Sequence, residues 1–307
     1  MSVLGFDTSN YTTSVAYFDG QDGVNCSQLL PVKQGELGLR QSDAVFHHTK
    51  SLPELSGRLF SHVRDQQFTA VGVSTRPRAV EGSYMPCFMV GYSHAKLIAD
   101  MLKVPLVEVS HQQGHVAACL WSAGRMDLMD KPHLAWHLSG GTTELLLVEP
   151  EGKNVRCTRI GGTTDISAGQ LIDRTGVMLS LPFPAGKHLD ALSREAVGRE
   201  VFKVKCPGME FSLSGVQNKV QQFYERNTDA AETAAYALRC VAHAVHTATC
   251  NALKQYPGLE VVFSGGVASN SMLRAVMADL DPVLCPPQYS TDNAMGVAVL
   301  AQRLTEG

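Results

Sequence analysis

Paired apolar stretches separated by short polar turns occur at the start of the chain and again near its middle. Residues 2–7 are predicted to form a strand, residues 8–12 a polar turn and residues 13–18 a second strand with alternating character. The same plan returns at 135–148, where a turn of Ser, Gly and Thr at 139–143 separates two apolar stretches. Both segments are typical of β-hairpins, and each predicted tip is small and rich in hydroxyl groups.

Helical periodicity dominates the rest of the chain. Predicted helices span 88–102, 115–123, 167–179, 187–196, 213–224 and 230–255. A late strand at 260–263 leads through the turn SGGV into a helical segment at 268–279, and a last helix covers 292–304. The two hairpins predict two similar halves that divide within residues 105–133.

Composition narrows the classes of protein to which this chain can belong. Its 307 residues are 44% hydrophobic, which is enough for one large or two medium domains with a full core. The formal charge of −3 gives no overall basic surface, so tight non-specific binding of nucleic acid is not expected, although a local basic patch stays open. The eight cysteines never fall as CxxC, which indicates reduced thiols and a cytoplasmic protein. We expect neither a signal peptide nor a membrane span.

A pair of histidines is the strongest single candidate for chemistry. His111 and His115 lie four residues apart, and on a helix this spacing puts both imidazoles on one face. Together they could hold one divalent metal if a further ligand came from elsewhere, but a half-exposed polar helix face is an equally weighted alternative. Gln112 stands where a zinc protease needs glutamate as its general base, so the sequence argues against a metalloprotease.

The small hairpin tips suggest a nucleotide site. Glycine, serine and threonine let the backbone approach a phosphate, and two such tips followed by a strand, SGGV and a helix favour this interpretation over plain turns. The arrangement resembles the actin, hexokinase and Hsp70 superfamily. That resemblance implies an α/β fold of two lobes, with nucleotide and metal in the cleft between them. It implies an N-terminal lobe at 1–110, with the last helix (292–306) packed back on it, and a C-terminal lobe at 111–307.

Seven motifs make the resemblance more specific, and they follow one another along nearly the whole chain. They are GFDTS, VSHQQGH, LSGGTTEL, GGTTDISAGQLIDRTGVMLSL with PFPAG, FSLSG, SGGVASNSMLR and STDNAMGVA. In this order they resemble the TsaD family of tRNA threonylcarbamoyladenosine transferases, formerly described as glycoproteases. The chain is identified as a divergent member of that family.

The resemblance implies a set of ligand-binding residues. One divalent metal, Fe²⁺ or Zn²⁺, would be held by His111, His115 and Asp292. Asp292 taken alone is better explained as a cap of the last helix, but the histidine pair and the resemblance favour the ligand. The first hairpin would face phosphate with Asp7, Thr8 and Ser9, and Asp7 on its strand could face the metal instead. An adenine nucleotide or carbamoyl-adenylate would be bound by residues of the second half: Ser139, Gly140, Gly141, Thr142, Asp173, Gly186, Asp190 and Asn270.

Some of these assignments have plain structural alternatives, and some loops depart from the family pattern. Asp173 could lie on a solvated helix face, and Gly186 could be an ordinary turn glycine. At positions 10–13 the chain reads Asn-Tyr-Thr-Thr where the family has Cys-Asp-Glu-Thr, so the carboxylates that could deprotonate an incoming amine are missing. Tyr11 and His48 are the nearest replacements.

Two arginines are a further departure. Arg76 and Arg78 stand in a loop where the family has Gly-Pro-Gly. A guanidinium can bind a carboxylate or phosphate through two parallel hydrogen bonds, which makes both residues candidates for the catalytic region. Solvated loop arginines are an equally weighted alternative.

The function implied by the resemblance is metal-dependent transfer of a carbamoyl or threonylcarbamoyl group from a carbamoyl-adenylate to an acceptor amine. The favoured acceptor is N6 of adenosine-37 in tRNA. Two alternatives stay open: a non-catalytic nucleotide-binding paralogue that partners a true transferase, and a carbamoyltransferase with a small-molecule acceptor. Family companions dimerise through their N-terminal halves, so we expect a paralogous partner protein or a homodimer through the N-terminal lobe. The retained histidine pair favours an enzyme over a companion.

Overall fold

The computed structural model describes four stretches of the chain, residues 2–9, 11–31, 39–63 and 67–306. Contacts divide them into two compact units. The first unit holds the described residues of Met1–Lys131, with Glu149–Cys157 and Asp292–Gly307. The second unit holds Pro132–Val148 and Thr158–Thr291.

The first unit is built on a sheet with strand order β3-β2-β1-β4-β5. Its strands are β1 (Ser2–Ser9), β2 (Thr12–Phe18), β3 (Gly23–Leu29), β4 (Phe68–Arg76) and β5 (Leu106–Ser110). Its helices are α1 (Gln41–His62), α2 (Phe88–Leu102), α3 (His111–Ser122) and α9 (Met295–Thr305), with a 3-10 helix at Met126–Asp130. Strand β1 pairs antiparallel with β2 and parallel with β4, which in turn pairs parallel with β5.

Strand β1 is buried along its whole length because helices cover both of its faces. Leu4 and Phe6 pack with residues of α1 and α2 in one hydrophobic cluster. On the other face a Cβ at Gly5 would lie 2.6 Å from the carbonyl oxygen of Ala294, at the start of α9. The ends of the parallel strands β1, β4 and β5 therefore lie at one edge of a rigid sheet, and α3 begins there directly after β5.

Helices α3 and α9 cross at two glycines. A Cβ added to Gly296 would lie 1.8 Å from the carbonyl oxygen of Gly114, so only glycine allows this approach. The close crossing explains why α3 groups with the first sheet, whereas the sequence-based boundary at residue 110 separates them. Helix α9 also packs on β1 and β4.

The second unit is built on a sheet with strand order β11-β10-β6-β7-β8-β9. Its strands are β6 (His133–Leu138), β7 (Thr143–Glu151), β8 (Asn154–Thr163), β9 (Glu210–Phe211), β10 (Val261–Ser264) and β11 (Val283–Leu284). Its helices are α4 (Ala168–Met178), α5 (Gly186–Ser193), α6 (Ser214–Asn227), α7 (Ala230–Gln255) and α8 (Ser271–Met277). Short 3-10 helices span Gly266–Ser269, Ala278–Leu280 and Pro287–Tyr289.

The core of the second unit forms around α7. Most of its alanines are buried, several of them in the cluster that contains Leu134 and Trp136 of β6, and the indole Nε1 of Trp136 donates a hydrogen bond to Thr249 Oγ1 at 2.9 Å. This satisfies the polar atom of a fully buried tryptophan. The α/β class and the hairpins at both predicted places are confirmed.

Most predicted helices are also confirmed, α7 with both ends as expected, but several helix ends differ and one helix was not predicted. Helix α1 has no predicted counterpart and contains Pro53. Helix α3 begins at His111 rather than His115, and α9 begins at Met295 rather than Asp292. None of the described helices has the length and apolar character needed to cross a membrane.

Candidate metal centre and nucleotide site

The two histidines are positioned by the start of α3. Ser110 Oγ accepts from the backbone N–H of Gln113 at 3.2 Å, and Gln113 Oε1 accepts from the backbone N–H of Ser110 at 2.9 Å. This reciprocal cap starts the helix at His111 and puts His115 one turn later on the same face. Gln113 also donates to the carbonyl oxygen of Val155 at 2.8 Å, so its role here is structural.

His111, His115 and Asp292 meet in the first unit. The two Nε2 atoms are 2.9 Å apart, and Asp292 Oδ1 lies 3.2 Å from Nε2 of His115 and 3.5 Å from Nε2 of His111. Asp292 precedes the first residue of α9 by three positions, and Ala294 occupies the N-cap position. The interpretation of Asp292 as a helix cap is therefore wrong, because its carboxylate faces the histidines.

Asp7 lies behind this cluster and orients it. The Nδ1 of His111 lies 2.7 Å from Asp7 Oδ2, and the other carboxylate oxygen of Asp7 accepts from the backbone N–H of Ser9 at 2.9 Å. The side chain of Asp7 is 1% exposed. The sequence analysis put Asp7 on the first hairpin, facing phosphate or metal, but did not predict its contact with His111.

The charges of the cluster are strongly coupled. Burial alone would lower the pKa of His111, but the carboxylates of Asp7 and Asp292 outweigh it and raise that pKa to about 10. Burial works against ionisation of Asp292 as well, yet hydrogen bonds with His111 and His115 hold the pKa of Asp292 well below its ordinary value. In the same way His111 lowers the pKa of buried Asp7. The site therefore concentrates negative charge beside imidazole nitrogens.

The donor set fits a divalent metal. The ligand atoms of His111, His115 and Asp292 all lie within 4.8 Å of one another. Two imidazole nitrogens and one carboxylate oxygen suit zinc or ferrous iron. A carboxylate bound to the far nitrogen of a histidine, as Asp7 is to His111, is the usual support of a metal ligand.

The first hairpin has a structural role in hydrogen bonding that the sequence did not predict. Thr8 is buried; its hydroxyl donates to the carbonyl oxygen of Cys87 at 3.0 Å and accepts from the backbone N–H of Gly91 at 3.0 Å. Ser9 is buried as well, Tyr11 is half-buried, and Asn10 lies outside the described residues. Thr8 thus fixes the start of α2 to β1.

His48 cannot replace the missing acidic residues as a base for a bound substrate. Its side chain is fully buried, and its Nδ1 lies 2.8 Å from Thr13 Oγ1. Burial lowers the pKa of His48 to about 4, so the ring is neutral at physiological pH. The two loop arginines, in contrast, are exposed. Arg76 is the last residue of β4 and pairs with Ser110 just before α3, and Arg78 lies on the loop that follows β4.

The glycine turn between β6 and β7 is held against the start of α4. Within the turn, the backbone N–H of Ser139 donates to the carbonyl oxygen of Thr142 at 2.8 Å. The hydroxyl of Ser167, the N-cap of α4, donates to the carbonyl oxygen of Gly140 at 2.6 Å. A Cβ at Gly169 would lie 2.4 Å from the Cα of Gly140, so this close packing requires glycine. Gly140 and Gly141 themselves are exposed, which leaves their backbone accessible.

The remaining residues that were predicted to bind nucleotide take part in two groups of hydrogen bonds within the second unit, one at Asp173 and one at Asp190. Asp173 accepts from the backbone N–H of Ala185 at 2.8 Å, directly before Gly186, and burial raises the pKa of its carboxyl. Asp190 Oδ1 accepts from the side-chain amide of Asn270 at 2.8 Å. Asp190 also accepts from the backbone N–H and the hydroxyl of Ser271, so it ties α5 to the turn after β10.

Comparison with known proteins identifies relatives of the whole chain. The sequence profile of TsaD, described as tRNA N6-adenosine threonylcarbamoyltransferase, matches residues 34–299. A protein of that name from Carboxydothermus hydrogenoformans is 31% identical over 314 residues, which cover 96% of this chain and 90% of the relative.

Solved structures resemble the fold. A full-length HypF in its phosphate- and nucleotide-bound form aligns with all of this chain and 47% of its own, at a TM-score of 0.64 and 15% identity. The ROK hexokinase of Thermus thermophilus aligns over 98% of both chains, at a TM-score of 0.52 and 15% identity. The fold is therefore similar to that of HypF and of a ROK hexokinase.

Proposed function

Because the chain belongs to the TsaD family of tRNA N6-adenosine threonylcarbamoyltransferases, we propose that it carries a threonylcarbamoyl group from threonylcarbamoyl-adenylate to N6 of adenosine-37 in tRNA, with a divalent metal at His111, His115 and Asp292. Family membership supports tRNA threonylcarbamoyl transfer in general. The metal and the particular acceptor atom are the added parts of the proposal.

One observation carries the proposal beyond the family name. The metal-ligand cluster stays complete in a chain whose neighbouring loop has lost the acidic residues of the family pattern. His111, His115 and Asp292 converge, and Asp7 supports His111 from behind at 2.7 Å. A companion that only binds nucleotide would have no use for this charged arrangement, whose buried carboxylates cost free energy unless they are paired.

The second unit supplies the proposed nucleotide contacts. Exposed backbone N–H groups around Gly140 and Gly141 would donate to the phosphate, as small turns do in other anion sites. Asp173, Gly186, Asp190 and Asn270 would line the ribose and base. The HypF structure of similar fold is described as phosphate- and nucleotide-bound, which supports nucleotide binding by this chain.

The proposed reaction is an acyl transfer. N6 of adenosine attacks the carbamoyl carbon, the new C–N bond forms, the bond from that carbon to the phosphate oxygen breaks, and AMP leaves while N6 releases a proton to solvent. A divalent metal at the histidine cluster would act as a Lewis acid toward carbonyl or phosphate oxygens of the donor. Asp7 holds the ring of His111 in one orientation throughout, because its carboxylate is buried and fixed by Ser9.

The proposal is tested by incubating the metal-loaded protein with threonylcarbamoyl-adenylate and unmodified tRNA. AMP release and tRNA modification are followed separately. We expect both signals, and we expect neither from a His115→Ala variant. A tRNA with guanosine at position 37 is the matched acceptor control, since guanine has no N6 amine.

The other outcomes contradict specific parts of the proposal. AMP release without tRNA modification would point to a different acceptor or to a missing partner protein. Retained AMP binding without turnover would favour the non-catalytic paralogue. Full turnover by His115→Ala would remove the metal from the mechanism.

Exposed apolar residues on two neighbouring helices support the proposed subunit contact. Phe46 on α1 is 61% exposed, and Leu97 and Met101 on α2 are 61% and 74% exposed. Met89 lies two helical turns before Leu97 and is exposed as well. Large exposed apolar side chains that form one patch are typical of protein interfaces. We therefore propose that the α1–α2 surface, defined by these four residues, binds a second subunit, either another copy or a paralogue.

A further inference from the structure

The loop between β4 and α2 begins at the metal centre. Arg76 is the cross-strand neighbour of Ser110, the residue immediately before His111. Adjacent strands lie about 4.8 Å apart, so the backbone of Arg76 is one strand spacing from the start of α3. The next residue, Pro77, accepts a hydrogen bond from the backbone N–H of Gln112 at 3.0 Å. The two arginines that flank Pro77 are therefore fixed beside the first metal-ligating histidine.

The same loop also ends at the metal centre. The carbonyl oxygen of Cys87 accepts from Thr8 Oγ1 at 3.0 Å, directly after Asp7 in β1. The ring of Phe88, the first residue of α2, packs edge-on against the ring of His111 with centroids 6.2 Å apart. Because both ends are held, residues 77–87 form a closed arch next to His111.

The arch is ordered internally and presents positive charge. The backbone N–H of Arg78 donates to Ser83 Oγ at 3.0 Å, and the N–H of Ser83 donates to the carbonyl oxygen of Val80 at 3.2 Å. The side chains of Arg76 and Arg78 are exposed, while the carboxylates of Asp7 and Asp292 carry negative charge at the metal centre itself. The arch beside the candidate metal centre therefore carries two exposed cations.

The chemistry of the donor indicates what these cations would bind; this step rests on the proposed function. In a threonylcarbamoyl group the amine of threonine carries the carbamoyl carbon, so the carboxylate of the amino acid stays free and ionised. The phosphate of the adenylate is a second oxyanion. A planar guanidinium binds either group through two parallel N–H···O bonds.

We propose that Arg76 and Arg78 bind an oxyanion of the acyl donor at the metal centre. If that oxyanion is the carboxylate, the arch selects acyl groups derived from amino acids over neutral carbamoyl groups. If it is the phosphate, the arch helps to hold the leaving nucleotide. The arch thus determines how the donor is recognised, in a position where the family pattern has a glycine-rich loop without these charges.

Binding measurements with three probes test the proposal on the intact, metal-loaded protein. The probes are a hydrolysis-resistant sulfamide mimic of threonylcarbamoyl-adenylate, the same mimic with threonine carboxamide in place of the carboxylate, and AMP. Titration calorimetry compares the wild type with Arg76→Gln, Arg78→Gln and the double variant. Arg58→Gln, an exposed arginine of α1, is the matched control for loss of one surface charge.

For a carboxylate contact, we expect the double variant to bind the carboxylate mimic about 10- to 100-fold more weakly, which is the effect of losing charge-assisted hydrogen bonds. Its affinity for the carboxamide mimic and AMP should stay unchanged. For a phosphate contact, AMP binding should weaken by a similar factor instead. In both cases metal content and Arg58→Gln should match the wild type.

Two results would overturn the inference. Equal affinities of the double variant and wild type for all three probes would mean that the arginines are merely solvated. Weakened binding of unmodified tRNA in a parallel titration, with all three probes bound as by the wild type, would assign the arch to the RNA backbone. If the wild type binds none of the probes, the proposed function itself fails, which is distinct from failure of the arch alone.

Discussion

Asp7 Oδ2 lies 2.7 Å from Nδ1 of His111, while Nε2 of the same ring faces His115 and Asp292. Asp7 is at the end of the first strand and His111 at the start of α3, and they are 104 positions apart. The parallel arrangement of β1, β4 and β5 brings both residues to one edge of the sheet. The candidate metal centre therefore lies where these parallel strands end.

Asp7→Asn should weaken metal binding while leaving all three proposed ligands in place. An asparagine can present its NH₂ to His111 and disturb the tautomer that leaves Nε2 available, and loss of such a supporting carboxylate typically costs about 10- to 100-fold in metal affinity. The affinity is measured by competition with a chelator for Zn²⁺. Unchanged affinity would mean that Asp7 does not support the ligand, and Asp19→Asn, in an exposed turn, is the control.

His111→Ala should remove the bound metal without unfolding the protein. The hydrophobic core of the first unit is formed by β1, β2, β4 and the helices that cover them, and His111 is not part of it. Some stability should be lost, about 1–3 kcal/mol, because Asp7 stays buried without its partner. Metal content by mass spectrometry and far-ultraviolet circular dichroism are measured together. Full metal occupancy in a folded variant would show that His111 is not a ligand.

Gly296→Ala should destabilise the first unit more than a typical surface change. The added Cβ would lie 1.8 Å from the carbonyl oxygen of Gly114, so α9 must move away from α3. Overpacking of this kind costs about 1–3 kcal/mol, and the displaced α9 begins only three residues after Asp292. Denaturant unfolding provides the measurement, and metal affinity should fall in parallel.

Gly57→Ala is the matched control for that substitution. Gly57 also lies inside a helix, α1, but a Cβ there meets no atom within 4 Å. It should therefore raise stability by about 0.5–1 kcal/mol through helix propensity. If both alanine variants are equally stable, the α3–α9 crossing is looser than the structure indicates.

Some of the helices and their ends could be predicted from the local sequence, and others could not. Helix α7 follows from its unbroken apolar periodicity, and both ends were predicted. The true start of α3 had a signal that was missed, since Ser110 followed three residues later by Gln113 is a capping box. Helix α1 escaped prediction because Pro53 interrupts an amphipathic pattern that would otherwise indicate a helix.

The partners of the site residues depend on tertiary structure. The spacing of the two histidines indicated that their rings share one helix face. Local sequence could not indicate which carboxylate contacts His111, because that depends on the register of β1, β4 and β5. For Thr8, the local sequence suggested one partner and the tertiary structure gives others. Its place in a small polar turn indicated phosphate binding, yet its hydroxyl bonds Cys87 and Gly91 across the unit.

Asp165 should make stability depend on acid pH. Burial disfavours its charge, but hydrogen bonds from Ser212 and Ser214 prevail and lower its pKa to about 2. A carboxyl whose pKa is lower in the folded state contributes stability above its unfolded pKa, near 3.8, and loses it as the pH falls toward 2.

Asp165→Asn should therefore be less stable than the wild type at pH 5, and the difference should shrink between pH 4 and about pH 2. Urea unfolding of both proteins across this range measures it. The Ser212→Ala and Ser214→Ala double variant should show a smaller convergence in the same direction, because it removes the two hydroxyl donors and leaves the backbone N–H donors of residues 213 and 214. A difference between wild type and Asp165→Asn that does not change with pH would contradict this account.

Charges placed on the α1–α2 surface should break a dimer. Leu97 and Met101 are one helical turn apart and largely exposed, so Leu97→Asp with Met101→Asp puts two carboxylates into an interface that excludes water. We expect the wild type to migrate as a dimer in light scattering after size exclusion and the double variant as a monomer. Val177→Asp, at a position 70% exposed on α4, should leave the dimer intact. A wild type that is monomeric at high concentration would contradict the homodimer and direct the search to a paralogous subunit.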